Sequence, residues 1–377
     1  MDKRILLIGS YLPSILNFRG DLIKRLIEDG FTVFVSAPDA NLYMDELERI
    51  KSIGAVFHEI PMSRTGLNPI NDIKTIFAIR KLIKILKITH LLVYTIKPVI
   101  YGLLATLFTD VQQKTALITG LGYAFGQGQG VKFKAISFLA HHLYRAALNQ
   151  ATAIVFQNPD DSALFVSRNL VLYERTAVVN GSGINTKDFS FQPAVIKSQT
   201  NFLFIARLIR EKGIYDYIEA ATKLRNKWPS AVFHVVGWID DNPSAIKTDE
   251  LNSWVEQGVI EFHGKLKSVK EILVKCDVFV LPSYYPEGTP RTILEALATG
   301  RAIVTTDMPG CRETVLDGEN GFLIPPNSSV DLCKILERFL AEPNLISEMG
   351  IKSRKRAVDK YCVNKVNKRM IELINGV

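Results

Sequence analysis

The stretch "DVFVLPSYYPEGTPRTILEALATGRAIVTT", residues 277–306, contains two apolar runs joined by a turn and a helical pattern. The runs "DVFVLP" and "AIVTT" are apolar without alternation, as in parallel strands covered by helices on both faces. Between them, Gly288, Thr289 and Pro290 form a turn, and Pro290 suits the first turn of the helix "RTILEALATG". A strand, a crossover helix and a parallel strand make the unit of a doubly wound sheet. Working outward, the same kind of run recurs at "NFLFIAR", "AVFHVVG", "VIEFHG" and "GFLIP" in the second half of the chain. It also appears at "RILLIGS", "TVFVSA", "AVFHEI", "HLLVYT", "TALIT", "TAIVFQ" and "TAVVN" in the first. Two successive series mean an α/β protein of two Rossmann-like doubly wound domains.

The polar segment Gly181 to Thr200 separates the series, so the division is expected near residue 195. That gives a first domain over 1–195 and a second over 196–355. Residues 356–377, the end of a basic stretch beginning "KSRKRAVDKYC", are expected as a single helix packing back on the first domain.

At 377 residues the chain suits two domains, and a hydrophobic fraction of 47% is ample for two cores. The four cysteines, Cys276, Cys311, Cys333 and Cys362, lack zinc-like or CxxC spacing. Neither a metal site nor a disulfide framework is expected from them, and a reducing, cytoplasmic location fits. The opening "MDKRILLIGSYLP", with a short apolar run that soon turns polar, is not expected to act as a signal peptide. The longest uncharged apolar stretch, Pro98 to Phe108, falls well short of the roughly 20 residues of a spanning helix. A net charge of +8 suits phosphate-bearing ligands, nucleic acid or an anionic membrane surface without choosing among them. Nucleic acid is disfavoured because the basic segments lack interleaved aromatic platforms.

Within the opening stretch, Glu287 lies on the loop and Glu295 two helical turns further on, with the helix start between them. The free N–H groups of that start form an anion site at the carboxyl ends of the strands. The two carboxylates then address one ligand from different heights. As a lone pair they would read more simply as a loop charge and a solvated helix residue. Arg207 and Lys212, five apart after "NFLFIAR", change that balance. A planar guanidinium fork beside a point charge suits the oxygens of a diphosphate.

"ARLIREKG", followed by "PEGTPRTILEALATGRAIVTTDMPGCRETVLDGENGFLIPP", closely resembles the retaining, nucleotide-sugar-dependent glycosyltransferases of family 4, which have the GT-B fold with two domains facing a central cleft. The resemblance covers the second domain and, more weakly, the first. It implies that Arg207 and Lys212 neutralise the donor diphosphate, that Glu287 sits at the donor sugar, and that Glu295 holds the ribose hydroxyls. The backbone of Gly288 and Thr289 would add donors. Gly237 and Gly264 end strands near the crevice, and Gly264, Lys265 and Leu266 resemble the segment that contacts the base. No D-x-D occurs, so protein cations are expected in place of a metal, with no cofactor beyond the UDP-sugar substrate.

In the family the first domain binds the acceptor. Arg19, read as opening a helix, either meets a phosphate or is a solvated cap. "TGLGYAFGQGQG" lacks the dinucleotide spacing and follows a late strand, so Gly120 and Gly122 are assigned to an acceptor-side loop. The sequence "NDIKTIFAIRKLIKILKITH" reads as a cationic amphipathic helix able to lie on an anionic membrane. "SRTGLNP" and "LLVYTIKPVIYG" look like bacterial transferases that extend polyprenyl-diphosphate-linked sugars, which makes Arg64 and Lys97 acceptor-diphosphate candidates. The reading is a metal-independent transferase moving an N-acetylhexosamine from a UDP-sugar to a lipid-linked saccharide, peripheral on the inner membrane face. Its competitors are a soluble transferase or synthase acting on free sugars or glucans, and a non-catalytic nucleotide-sugar-binding scaffold.

Overall fold

The computed structural model describes residues 2–63, 68–121, 131–194 and 198–377, with backbone alone over 131–137. The chain divides into two compact units, Met1–Ser182 with Val363–Val377, and Gly183–Cys362.

The first unit has seven parallel strands among the described residues: β1 (Arg4–Ile8), β2 (Thr32–Ala37), β3 (Val56–Glu59), β4 (His90–Tyr94), β5 (Gln113–Ile118), β6 (Ala153–Phe156) and β7 (Thr176–Val178). Their spatial order is β3-β2-β1-β4-β5-β6-β7. Helices α1 (Leu12–Glu28), α2 (Met44–Ser52), α3 (Pro69–Ile85), α4 (Ile96–Ala105), α5 (Val131–Leu148) and α6 (Pro159–Ser167) connect them. Strand β1 explains the continuous apolar runs. Ile5 and Leu7 pack with Leu12 and Ile23 of α1 on one face, while Leu6 and Ile8 pack with Val99 and Leu103 of α4 on the other.

The second unit holds β8 (Thr200–Ile205), β9 (Ala231–Val236), β10 (Glu261–Phe262), β11 (Val278–Leu281), β12 (Ala302–Thr306) and β13 (Gly321–Ile324), ordered β10-β9-β8-β11-β12-β13. Its helices are α7 (Ile214–Lys227), α8 (Thr248–Glu256), α9 (Lys270–Lys275), α10 (Arg291–Thr299), α11 (Ser329–Ala341) and α12 (Asn344–Lys360). The stretch 277–306 is β11, α10 and β12, as its pattern predicts. The order reverses between β8 and β11, and a doubly wound sheet opens a crevice beyond the carboxyl ends of its strands at such a reversal.

Three expectations are corrected. The division falls at Ser182 and Gly183 rather than near residue 195, because the following segment is anchored in the second unit. Ile184 N–H donates to the Tyr361 carbonyl, the Arg354 guanidinium donates to the carbonyls of Thr186 and Phe189, and Arg301 donates to that of Gln192. The basic end is two helices, α12 and α13 (Val363–Asn375), rather than one. Tyr361 is buried between them with its hydroxyl donating to the Glu313 carbonyl, and Cys362 bridges to Ile184, which uses the backbone elsewhere. Only Val363–Val377 belongs to the first unit. Arg19 lies in the middle of α1, not at its start, and is buried instead of forming a solvated cap.

Candidate active site

Arg207 and Lys212 follow β8, and Glu287 follows β11, so the topology brings all three to the switch point of the second sheet. After β8 the chain makes a single 3-10 turn, Arg210–Lys212, and enters α7 through Gly213. Gly213 has φ of +77°, and a Cβ there would stand 2.2 Å from the Pro282 carbonyl oxygen, so only glycine lets the two loops meet. The Glu211 carbonyl then accepts the N–H groups of Tyr284, at 2.8 Å, and Tyr285, at 3.0 Å.

These contacts place the side chains. The Lys212 ammonium donates to Glu287 Oε1, and Ser283 Oγ donates to the same oxygen at 3.0 Å. Lys212 and Glu287 are 10% and 15% exposed, so water screens the pair weakly. The Tyr285 ring lies under both cations, 5.1 Å from Lys212 Nζ and 5.7 Å from the Arg207 guanidinium carbon. Arg207 also donates to Asp240 Oδ2 at 3.1 Å. Cys311 lies buried close by, and burial pushes its thiol up to about 12, which keeps it protonated and unreactive.

A third loop closes on the pair. Gly310, at φ of +85°, approaches so near that a Cβ would lie 2.4 Å from the Gly288 carbonyl oxygen and 2.6 Å from that of Glu287. Thr306 Oγ1 donates to the Ser283 carbonyl from the end of β12. The loop bearing Glu287, Gly288 and Thr289 is thus held from two sides, and Pro290 delivers the chain into α10. Glu295 has a different partner: Arg291 Nε donates to its Oε1 at 3.1 Å. Burial pushes the Glu295 carboxyl above its ordinary value, against the pull of Arg291 and Lys270.

At the other strand end, Gly237 N–H donates to the Gly264 carbonyl at 3.0 Å, which ties the loop after β9 to the one after β10. Lys265 Nζ lies 4.7 Å above the Trp238 ring, and both Trp238 and Leu266 are exposed. Sequence reasoning missed Ser283, Tyr285, Asp240 and Trp238. Ser283 and Tyr285 lie in the loop quoted at the outset, where their closeness to Glu287 in sequence was the available signal.

In the first unit, the buried Arg19 guanidinium lies 5.4 Å over the Tyr94 ring, and Tyr94 Oη is 3.0 Å from Ser14 Oγ. Lys97 opens α4 and pairs with Asp72 of α3 at 3.5 Å, with both side chains mostly covered. Gly120 follows β5 at φ of +132°. Arg64 and Gly122 lie outside the described residues.

Two Rossmann-like parallel sheets in succession are the architecture of the GT-B fold. Residues 185–356 match the family described as glycosyl transferases group 1, and residues 5–158 match the glycosyl transferase 4-like family. The chain belongs to these glycosyltransferases. It is 31% identical, over 97% of its length and 96% of the relative's, to the N,N'-diacetylbacillosaminyl-diphospho-undecaprenol alpha-1,3-N-acetylgalactosaminyltransferase of Campylobacter jejuni. Among solved structures, a glycosyltransferase from Rickettsia africae superimposes with a TM-score of 0.80 at 18% identity, covering 99% of this chain and 98% of that one. HepE of Anabaena in complex with UDP gives 0.75 at 17% identity over 100% of both chains.

Proposed function

We propose that this chain is a retaining, metal-independent transferase that moves an N-acetylhexosamine from a UDP-sugar to a polyprenyl-diphosphate-linked saccharide. The observation that carries the reading is the assembly of Arg207, Lys212 and Glu287 around Tyr285 at the β8/β11 switch point. The Campylobacter relative, whose name specifies an undecaprenol-diphosphate-linked acceptor and an N-acetylgalactosaminyl group, supports the acceptor and sugar class. A UDP complex in a neighbour of the same fold supports the nucleotide.

In this reading the donor diphosphate lies against Arg207 and Lys212 and the amino end of α10, where positive charge meets the negative charge that grows as the anomeric C–O bond breaks. The acceptor hydroxyl attacks the anomeric carbon on the face the diphosphate leaves, and its proton passes to a departing phosphate oxygen. Glu287 orients the sugar and stabilises its developing positive charge, and Glu295 holds the ribose hydroxyls. Gly237 and Gly264 to Leu266 face the base. Arg19, Lys97 and Gly120 are the described candidates on the acceptor side. The two protein cations do the work a divalent ion performs elsewhere.

A lipid-linked acceptor calls for a chain that reaches the membrane surface. No helix among the described residues is long and apolar enough to cross a membrane. Helix α3 buries Ile79 and Ile83, yet leaves Ile70, Ile73 and Phe77 exposed on one stripe at helical spacing, with Lys74, Lys81 and Lys84 on the same helix. Arg80 is not part of this surface, because it turns inward to the carbonyls of Leu104 and Ala105. The reading is therefore peripheral association with the inner face of the membrane through α3.

The test is UDP release from a panel of UDP-sugars, with and without a short polyprenyl-diphosphate-sugar acceptor, in the presence of EDTA. Acceptor-dependent release from one UDP-N-acetylhexosamine is expected. Silence across the panel from folded protein that binds UDP would overturn the donor and acceptor assignment.

A further inference from the structure

We propose that His234, Glu261 and His263 form a binding site for one divalent transition-metal ion of the zinc class at the edge of the second sheet. The cluster follows from strand register. His234 on β9 is the direct neighbour of Glu261 on the parallel edge strand β10, and His263, two residues past Glu261, projects from the same face. Their ligand atoms lie within 4.8 Å of one another, a set of two imidazoles and a carboxylate.

The geometry converges on a single atom. His263 Nε2 is 3.1 Å, and Glu261 Oε2 3.2 Å, from His234 Nδ1. An ion held tetrahedrally at about 2.0–2.1 Å from each ligand separates the ligands by about 3.3–3.4 Å, so little movement is needed to seat it. The other nitrogen of the same ring is already committed. Asn201 gives its Nδ2 hydrogen to Asp277 Oδ2 at 3.0 Å, which turns its Oδ1 towards His234 Nε2 at 3.1 Å. Nε2 therefore carries the hydrogen, and in the neutral ring Nδ1 presents a lone pair to a carboxylate oxygen. An ion seated among His234 Nδ1, His263 Nε2 and Glu261 Oε2 satisfies all three atoms at once, in place of the single hydrogen that the His263 ring can give to His234 Nδ1. An amide holding the far nitrogen of a ligating histidine, itself anchored by a carboxylate, is the outer shell that metal sites use to fix the tautomer.

Two imidazoles and a carboxylate suit Zn²⁺, Cu²⁺ or Ni²⁺ better than Mg²⁺ or Ca²⁺. Three protein ligands leave a fourth position for water. The site departs from the expectation of no metal, which rested on cysteine spacing, the lack of a D-x-D and the family resemblance, and did not weigh histidines 234 and 263. It does not serve the proposed chemistry, since β9 and β8 separate β10 from β11 in the sheet. Its role is to fasten the two-residue strand β10 onto β9 and so fix the root of the Gly264 to Leu266 loop. That consequence rests on the proposed function; the site does not.

The experiment uses tag-free full-length protein, stripped with a chelator, dialysed and titrated with Zn²⁺ by calorimetry, with bound metal counted after gel filtration. One equivalent per chain is expected, and Co²⁺ in its place gives the visible absorption of a four-coordinate site. Glu261→Gln and His263→Gln, both at partly exposed positions, are expected to lower Zn²⁺ affinity at least ~10-fold while keeping the wild-type circular dichroism. Zn²⁺ at a hundredfold excess over the wild-type dissociation constant raises the wild-type unfolding midpoint by about 5–11 °C and the variants' midpoints by no more than about half as much. Failure to retain stoichiometric metal overturns the proposal and leaves the two imidazoles joined by their hydrogen bond alone. Equal uptake by wild type and both variants also overturns it, because the ion then sits elsewhere. Neither outcome bears on sugar transfer, which is measured separately.

Discussion

Replacing Lys212 by Met removes the ammonium while keeping most of the chain length, so it isolates the charge on Glu287. Both members of the pair are at most 15% exposed, and breaking such a buried pair by removing one partner costs about 3–5 kcal/mol. Glu287 keeps the Ser283 hydroxyl at 3.0 Å and some access to water, which places the cost near the lower end, about 3 kcal/mol. For a unit of this size each kcal/mol moves the midpoint by about 2–4 °C, so the second unit should melt about 6–12 °C lower. Glu287→Gln strands the ammonium in the same way and should cost a similar amount. The double variant buries no unpaired charge, and its loss should fall short of the two single losses added together by about 2 kcal/mol. Urea unfolding of the four proteins, followed by tryptophan fluorescence, completes the cycle. Single losses that add to within about 0.5 kcal/mol would refute the pairing at the switch point. In turnover, Lys212→Met removes a donor aimed at the departing diphosphate and should lower kcat by about 10²–10³.

Glu287→Ala is expected to abolish most turnover while leaving the UDP dissociation constant within about threefold, whereas Glu295→Ala weakens UDP binding about 10-fold; calorimetry with UDP separates them, and matching, wild-type-like values for both would undo the assignment. Burial raises the Glu295 carboxyl, so the folded chain holds that proton to higher pH than the unfolded one and stability falls as pH rises through the interval between the ordinary and the raised value. Glu295→Gln therefore gains on wild type across that interval and levels off above it; a pH-independent difference in melting midpoint contradicts the shift. Gly310→Ala forces a Cβ to 2.4 Å from the Gly288 carbonyl at a left-handed φ and should cost at least about 2 kcal/mol, with a loss of turnover seen even well below the melting point. Ile73→Glu with Phe77→Glu changes two exposed side chains, so stability should move by no more than about 0.5 kcal/mol while sedimentation with phosphatidylglycerol vesicles falls; unchanged sedimentation would remove α3 from the membrane reading.

The parallel sheets were legible because buried parallel strands leave uninterrupted apolar runs, and all thirteen strands among the described residues fall on runs read from the sequence. The position of Arg207, Lys212 and Glu287 was legible through the strands they follow, since the switch point depends only on strand order. What escaped were contacts between residues far apart in sequence. Lys97 reads as a free cation, yet Asp72 of α3 reaches it, and nothing in either segment announces the other. The break at Tyr361 follows from a burial site prepared by Glu313, and the early domain boundary from Arg354 and Arg301 gripping the carbonyls of the preceding linker. Tyr285 is an aromatic in a loop until Gly213 allows the two loops to touch and brings both cations over its ring.

The most direct test of the central claim is mass spectrometry, with NMR of the new anomeric linkage, of a polyprenyl-diphosphate-linked saccharide incubated with UDP-N-acetylhexosamine and either wild type or Arg207→Met. The account predicts an acceptor lengthened by one sugar with wild type, bearing the donor's α configuration at the new linkage, and a yield at least about 100-fold lower with the variant. An inverted linkage, or undiminished extension by Arg207→Met, would contradict it.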